Sequence, residues 1–135
     1  MRVLILLAAL LIGLGAPACA ADDVAAAQSV IRSQEQAFSR DDFAAAYSYA
    51  APAIQGIFPD TGTFTAMVQK NYAAVLRHKS FDFGEARTAD GKIAQRVHII
   101  DADGVPWEAL YTLEQQADGS LKITGCMLLK AGQAA

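Results

Sequence analysis

Three observations predict an α+β domain in which three N-terminal helices pack on a four-stranded antiparallel meander sheet. Three related turns, Thr88-Ala89-Asp90-Gly91, Asp101-Ala102-Asp103-Gly104 and Gln116-Ala117-Asp118-Gly119, punctuate the second half of the chain. Between them apolar and polar residues alternate, as half-buried strands require. Ahead of them, apolar residues recur at three and four positions, the spacing of a helix with one buried face.

The 135-residue chain opens on Met1-Arg2, an apolar run from Val3 to Gly15 and the small-x-small site Ala18-Cys19-Ala20. This order reads as a secretory signal peptide over residues 1–20, which places the remaining single domain, 21–135, in the periplasm or outside the cell. The run is shorter than the ~18 residues of a membrane span, so stable membrane insertion after cleavage is not expected. Lipid attachment at Cys19 is disfavoured, because Ala16-Pro17-Ala18 lacks the usual preceding Leu. Cleavage leaves Cys126 without an intramolecular partner, a buried small hydrophobe or a handle for an intermolecular bond. The formal charge of the whole chain is -3. Such a balance offers no basic surface for nucleic acid and no polybasic patch for a membrane.

Val24, Ala27, Val30, Ile31 and Phe38 form the apolar stripe of a first helix over 23–40, with Asp22 or Asp23 as its cap. Asp41-Asp42 caps a short second helix, Phe43 to Tyr49, that ends near Pro52. Residues 53–62 carry Gly56, Pro59 and Gly62 and read as a loop, with Ile54, Ile57 and Phe58 to bury. Thr63 caps a third helix, whose stripe is Phe64, Met67, Val68, Tyr72, Val75 and Leu76, and which stops at the polar cluster 77–80.

If each turn is a three-residue loop closed by a Gly at positive φ, then Thr88 faces Lys92, Asp101 faces Val105 and Gln116 faces Ser120. Phe81, Phe83, Val97, Ile99, Trp107, Ala109, Leu113, Leu121, Ile123, Met127 and Leu129 then share the core face. A two-residue Asp-Gly turn would set Phe83 opposite His98 and mix the faces, so the hydrophobic pattern favours the longer loop.

The order of helices and curled sheet resembles the nuclear transport factor two-like (cystatin-like) superfamily. More narrowly, Gln34, Asp42-Phe43, Phe58-Pro59, Phe64-x-x-Met67-Val68-x-x-x-Tyr72 and Lys122-Ile123-x-Gly125 are similar to an uncharacterised family of secreted bacterial proteins known only as a domain of unknown function. The resemblance spans residues 23–130 and implies a small-ligand pocket without choosing a reaction, since that superfamily holds isomerases, dehydratases, epoxide hydrolases and non-catalytic proteins. Leu121 stands where the superfamily often has Trp, and the chain has little room for the extra hairpin of larger members.

In the expected register, Glu85, Gln95 and Tyr111 form a polar row on the concave face, with Tyr111 opposite Gly125 and Trp107 on the same face. These four are the candidate ligand-binding residues, for a small apolar ligand. An alternative is a pocket enzyme of the isomerase or hydrolase type, with Glu85 as general base, Tyr111 donating to an oxyanion and Gln95 orienting the substrate. Each also has a structural reading: Glu85 turned to water on an edge strand, Gln95 satisfying a helix terminus, and Tyr111 covering Gly125. No His lies on this face, which speaks against the His-dependent dehydratase chemistry of the superfamily.

The opposite face carries Asp82, His98, Glu108 and Leu128, read as an exposed charge cluster in preference to a metal site. Ile100, Leu110, Cys126 and Leu128 make that face apolar enough to predict a homodimer through it, with the two Cys126 near the axis, although Arg96 and the helices can shield the same patch in a monomer. No P-loop, dinucleotide fingerprint, nucleophile elbow or paired-Cys metal spacing is present, so no cofactor is expected.

Overall fold

The computed structural model describes residues 17–132, and the apolar run read as a signal peptide lies outside the described residues. Five helices precede the sheet where three were expected: α1 (Pro17–Ser39), α2 (Phe43–Ser48), α3 (Pro52–Ile57), α4 (Thr61–Asn71) and α5 (Ala73–Leu76). Four strands follow, β1 (His78–Ala89), β2 (Lys92–Asp101), β3 (Pro106–Gln115) and β4 (Leu121–Lys130), in one antiparallel sheet of order β1-β2-β3-β4. Among the described residues no helix is long and apolar enough to cross a membrane.

The differences among the helices have local causes. α1 runs through Asp22 and Asp23 without being capped there, and ends where Asp41 turns left-handed at φ 57°. Asp42 then caps α2 by accepting from the Ala45 N–H at 3.1 Å. The expected loop 53–62 contains α3, for which Pro52 supplies a preorganised first turn. α4 starts earlier than Thr63 suggests, because Asp60 is the cap and accepts from the Thr63 N–H at 2.7 Å. Tyr72, at φ -130°, breaks the expected third helix into α4 and α5.

α1 lies across the concave face of the sheet and buries Ala27, Ile31, Gln34 and Phe38, one side chain per turn. Phe38 stacks on Phe64 of α4 with ring centroids 6.3 Å apart, and Val97, Ile99 and Ala109 close the core from the sheet with no exposed surface. Between α2 and α3 the chain joins the sheet edge. The Ala51 N–H donates to the Ile123 carbonyl at 2.8 Å and the Ile123 N–H to the Tyr49 carbonyl at 2.9 Å, a parallel bridge that covers the start of β4.

The β1–β2 hairpin corrects the expected turn and keeps the expected core. Asp90 (φ 51°) and Gly91 (φ 75°) form a two-residue loop, so Ala89 faces Lys92 and Thr88 faces Ile93. A bulge at Gly84 and Glu85 takes up the residue that the turn omits, and Phe83 again faces Val97 and Phe81 faces Ile99. Energetics explain the compensation. Without the bulge Phe81 and Phe83 would turn outward at a cost of about 1.5–3 kcal/mol each, against about 1 kcal/mol for each ladder bond given up. Glycine suits the bulge, since a Cβ on Gly84 would come within 2.6 Å of the His98 ring.

The other two turns have the expected three-residue form, with Gly104 and Gly119 at φ 83° and 86°. β2 and β3 pair as expected, Gln95 with Tyr111 and His98 with Glu108. β3 and β4 begin as expected, Leu113 facing Ile123, and then slip by one residue at Thr124. Tyr111 therefore faces Cys126 instead of Gly125. Cys126 and Leu128 move to the inner side, while Met127 and Leu129, expected in the core, are exposed. The apolar outer patch is consequently Ile100, Leu110, Met127 and Leu129, and a two-fold axis there does not bring two Cys126 side chains together.

Candidate functional site

A cleft of about 410 Å³ opens between the α3–α4 corner and the inner side of β4. Phe38 of α1, Phe64 and Val68 of α4 and Ile123 of β4 form apolar walls, with Ile54 and Phe58 from the α3 segment at one side. The Thr124 bulge shapes its floor, because the slip turns the Cys126 thiol inward against Tyr111.

Six polar side chains line this apolar space, Gln34, Asn71, Tyr72, Tyr111, Thr124 and Cys126. Tyr111 pairs with Cys126 across β3 and β4, and both side chains line the cleft. Burial, reinforced by Cys126 nearby, holds Tyr111 well above the ordinary tyrosine range, so it stays a neutral phenol. Burial pushes the Cys126 thiol up to about 12, partly offset by Tyr111, and so keeps it protonated and poorly nucleophilic at neutral pH. The Tyr72 hydroxyl donates to the Cys126 carbonyl at 2.6 Å, and burial raises its pKa too. Gln34 donates through Nε2 to the Ala46 carbonyl at 3.1 Å, tying α1 to α2, and Asn71 donates to the Met67 carbonyl at 3.2 Å.

Of the four expected ligand-binding residues, Tyr111 lines this cleft and the other three do not. Glu85 sits in the β1 bulge, exposed, and Ala86 takes its place opposite Gln95. Gln95 is fully buried; its Nε2 donates to the carbonyls of Gly84 (3.0 Å), Glu85 (3.3 Å) and Arg96 (2.7 Å), and its Oε1 accepts from Gln28 at 3.1 Å. It serves the bulge carbonyls, whose ladder partners are lost, and no helix terminus. Trp107 donates through Nε1 to Asp101 Oδ2 at 2.8 Å and marks the β2–β3 hairpin end, with Lys130 over its ring.

A second cluster was not foreseen. The Glu35 carboxylate of α1 is shared between Arg32 and His78, with His78 Nε2 at 3.1 Å. The other ring nitrogen of His78 faces the Ala74 carbonyl at 3.1 Å, and Arg32 donates to the Phe81 carbonyl while lying over the Phe83 ring at 4.8 Å. This cluster ties α1 to α5 and β1. On the outer face Asp82, His98 and Glu108 align as expected, with Leu129 completing the row, and Arg96 occupies the Glu108 carboxylate at 3.0 Å. Among the described residues no three His, Cys, Asp or Glu side chains are grouped to hold a metal ion.

The model of one protein family, a domain of unknown function designated DUF4864, matches residues 20–135. The chain belongs to the DUF4864 family. Neither the curated proteins nor the solved structures gave a significant match. Gln34, Phe58, Phe64, Met67 and Tyr72, singled out by their motif spacing, meet in this DUF4864 domain as lining residues of the cleft.

Proposed function

We propose that this DUF4864 domain is an exported, non-catalytic module that holds a small apolar ligand in the cleft between α4 and β4. The carrying observation is the cleft itself, an apolar space of about 410 Å³ with a few convergent polar groups, which is the usual construction of a small-molecule site. The helices followed by a curled meander support placing it in the nuclear transport factor two-like superfamily, and the charged start, apolar run and small-x-small site support export. Binding is favoured over the isomerase or hydrolase alternative because Glu85 and Tyr111 lie apart, and burial keeps the phenol of Tyr111 and the thiol of Cys126 protonated.

The test uses N-phenyl-1-naphthylamine, a neutral apolar fluorophore, with backbone amide NMR. One molecule is expected to bind per chain, shifting the resonances of Tyr72, Thr124 and Gly125. Met67→Trp, which fills the cleft from α4, is expected to abolish binding with the fold intact. No binding, or shifts confined to the outer sheet face, would overturn the reading.

A further inference from the structure

Building on that binding reading, we propose that the ligand is uncharged and carries a hydroxyl or N–H group, which it donates to the Tyr72 oxygen. Among the described residues no Asp, Glu, Lys, Arg or His lines the cleft. A carboxylate or ammonium group entering it would lose its hydration with no counter-charge to replace it. The half-buried Arg32, Glu35 and His78 side chains are committed to one another and lie outside the lining.

The hydrogen-bond inventory then separates donors from acceptors. Tyr72 has one proton, spent on the Cys126 carbonyl at 2.6 Å, so toward the cleft its oxygen can only accept. Gln34 and Asn71 each spend one N–H on a backbone carbonyl and keep a second, and neither side-chain oxygen has a protein donor among the described residues. Thr124 shares one hydroxyl proton with Thr112 at 3.0 Å. Tyr111 and Cys126 face each other across β3 and β4. A ligand without a donor, such as an ether, would bury the Tyr72 oxygen unpaired, and that penalty is the source of selectivity.

The discriminating probes are 4-ethylphenol, 4-ethylanisole and 4-ethylbenzoate, titrated at pH 7 into isotopically labelled wild type and Tyr72→Phe. The phenol is expected to bind five- to tenfold more tightly than the anisole, with the benzoate weakest. Tyr72→Phe should weaken the phenol and, by removing the oxygen that an ether leaves unpaired, tighten the anisole, so that the two no longer differ. Equal affinity of phenol and anisole, or tightest binding by the benzoate, with cleft resonances shifting, would overturn the donor requirement while leaving a binding cleft. If none of the three shifts the cleft resonances, the binding reading falls and this proposal with it.

Discussion

Replacing Gln95 by Leu tests whether the β1 bulge depends on a single buried amide. The substitution keeps nearly the same volume at a fully buried position, so packing changes little. What disappears is the Nε2 donor that serves the carbonyls of Gly84, Glu85 and Arg96, together with the acceptor for Gln28. Nε2 carries two N–H groups shared among these three carbonyls, so two bonds left unmade cost about 1–3 kcal/mol each, and the apolar side chain returns part of that, for a net loss of about 3 kcal/mol. With a urea m value of about 1.5–2 kcal/mol/M, the unfolding midpoint should fall by about 1.5–2 M. Gln28→Leu removes only the bond to Oε1 and should cost about 1 kcal/mol. The assay is urea unfolding of both variants followed by tryptophan fluorescence and circular dichroism. A loss below about 0.5 kcal/mol for Gln95→Leu, or one no larger than for Gln28→Leu, would refute the claim that this amide holds the bulge.

Two further outcomes are expected. Because the folded Cys126 thiol is held near 12, the unfolded chain loses this proton first as pH rises above about 8.5, so the folded state holds more protons and its stability falls toward pH 12. Cys126→Ala lacks that effect and should lose about 2 kcal/mol less than wild type between pH 9 and 11; parallel stability profiles in denaturant titrations would contradict the buried thiol. Export with cleavage after Ala20 predicts a mature chain starting at Ala21 by intact-mass spectrometry, and a secreted chain that retains Met1 or carries lipid on Cys19 would contradict it.

The legible part of the fold was what short-range chemistry encodes. Alternation along β1, β2 and β3 favoured the register that the three-residue turns implied, and the pairs Phe83 with Val97 and Gln95 with Tyr111 hold even though the first turn is shorter. The turn at Asp90-Gly91 was misread because the same dipeptide suits a two-residue loop, which the twist of the strands prefers. Both bulges had a local signal, an isolated glycine within a strand pattern, at Gly84 and beside Thr124 at Gly125. Tyr111 was legible as an inward polar group, but its partner Cys126 was not, since one slipped residue exchanges the two faces of β4. The Arg32, Glu35 and His78 cluster joins positions up to 46 residues apart in sequence, and no periodicity reports such a meeting.

The β1–β2 hairpin carries one surplus residue, and its location is a separate choice from the packing of the core. Between Phe83 and Val97 the chain must supply a set number of residues, and those pairs are the same whether the surplus sits in the turn or at Gly84 and Glu85. Moving it changes only which side chain meets α1. With the bulge in mid-strand, Ala86 lies beside Val24 and Gln28, and Glu85 is in water. With the surplus at the turn, Glu85 would stand there instead, and a carboxylate against an apolar helix face is the costlier arrangement. The left-handed pair Asp90 and Gly91 thus acts at a distance of several residues, keeping a charge out of the α1 interface by where it stores slack in the chain. A hairpin one residue shorter, with Glu85 deleted and the two-residue turn kept, would present the same aromatic pair to the core.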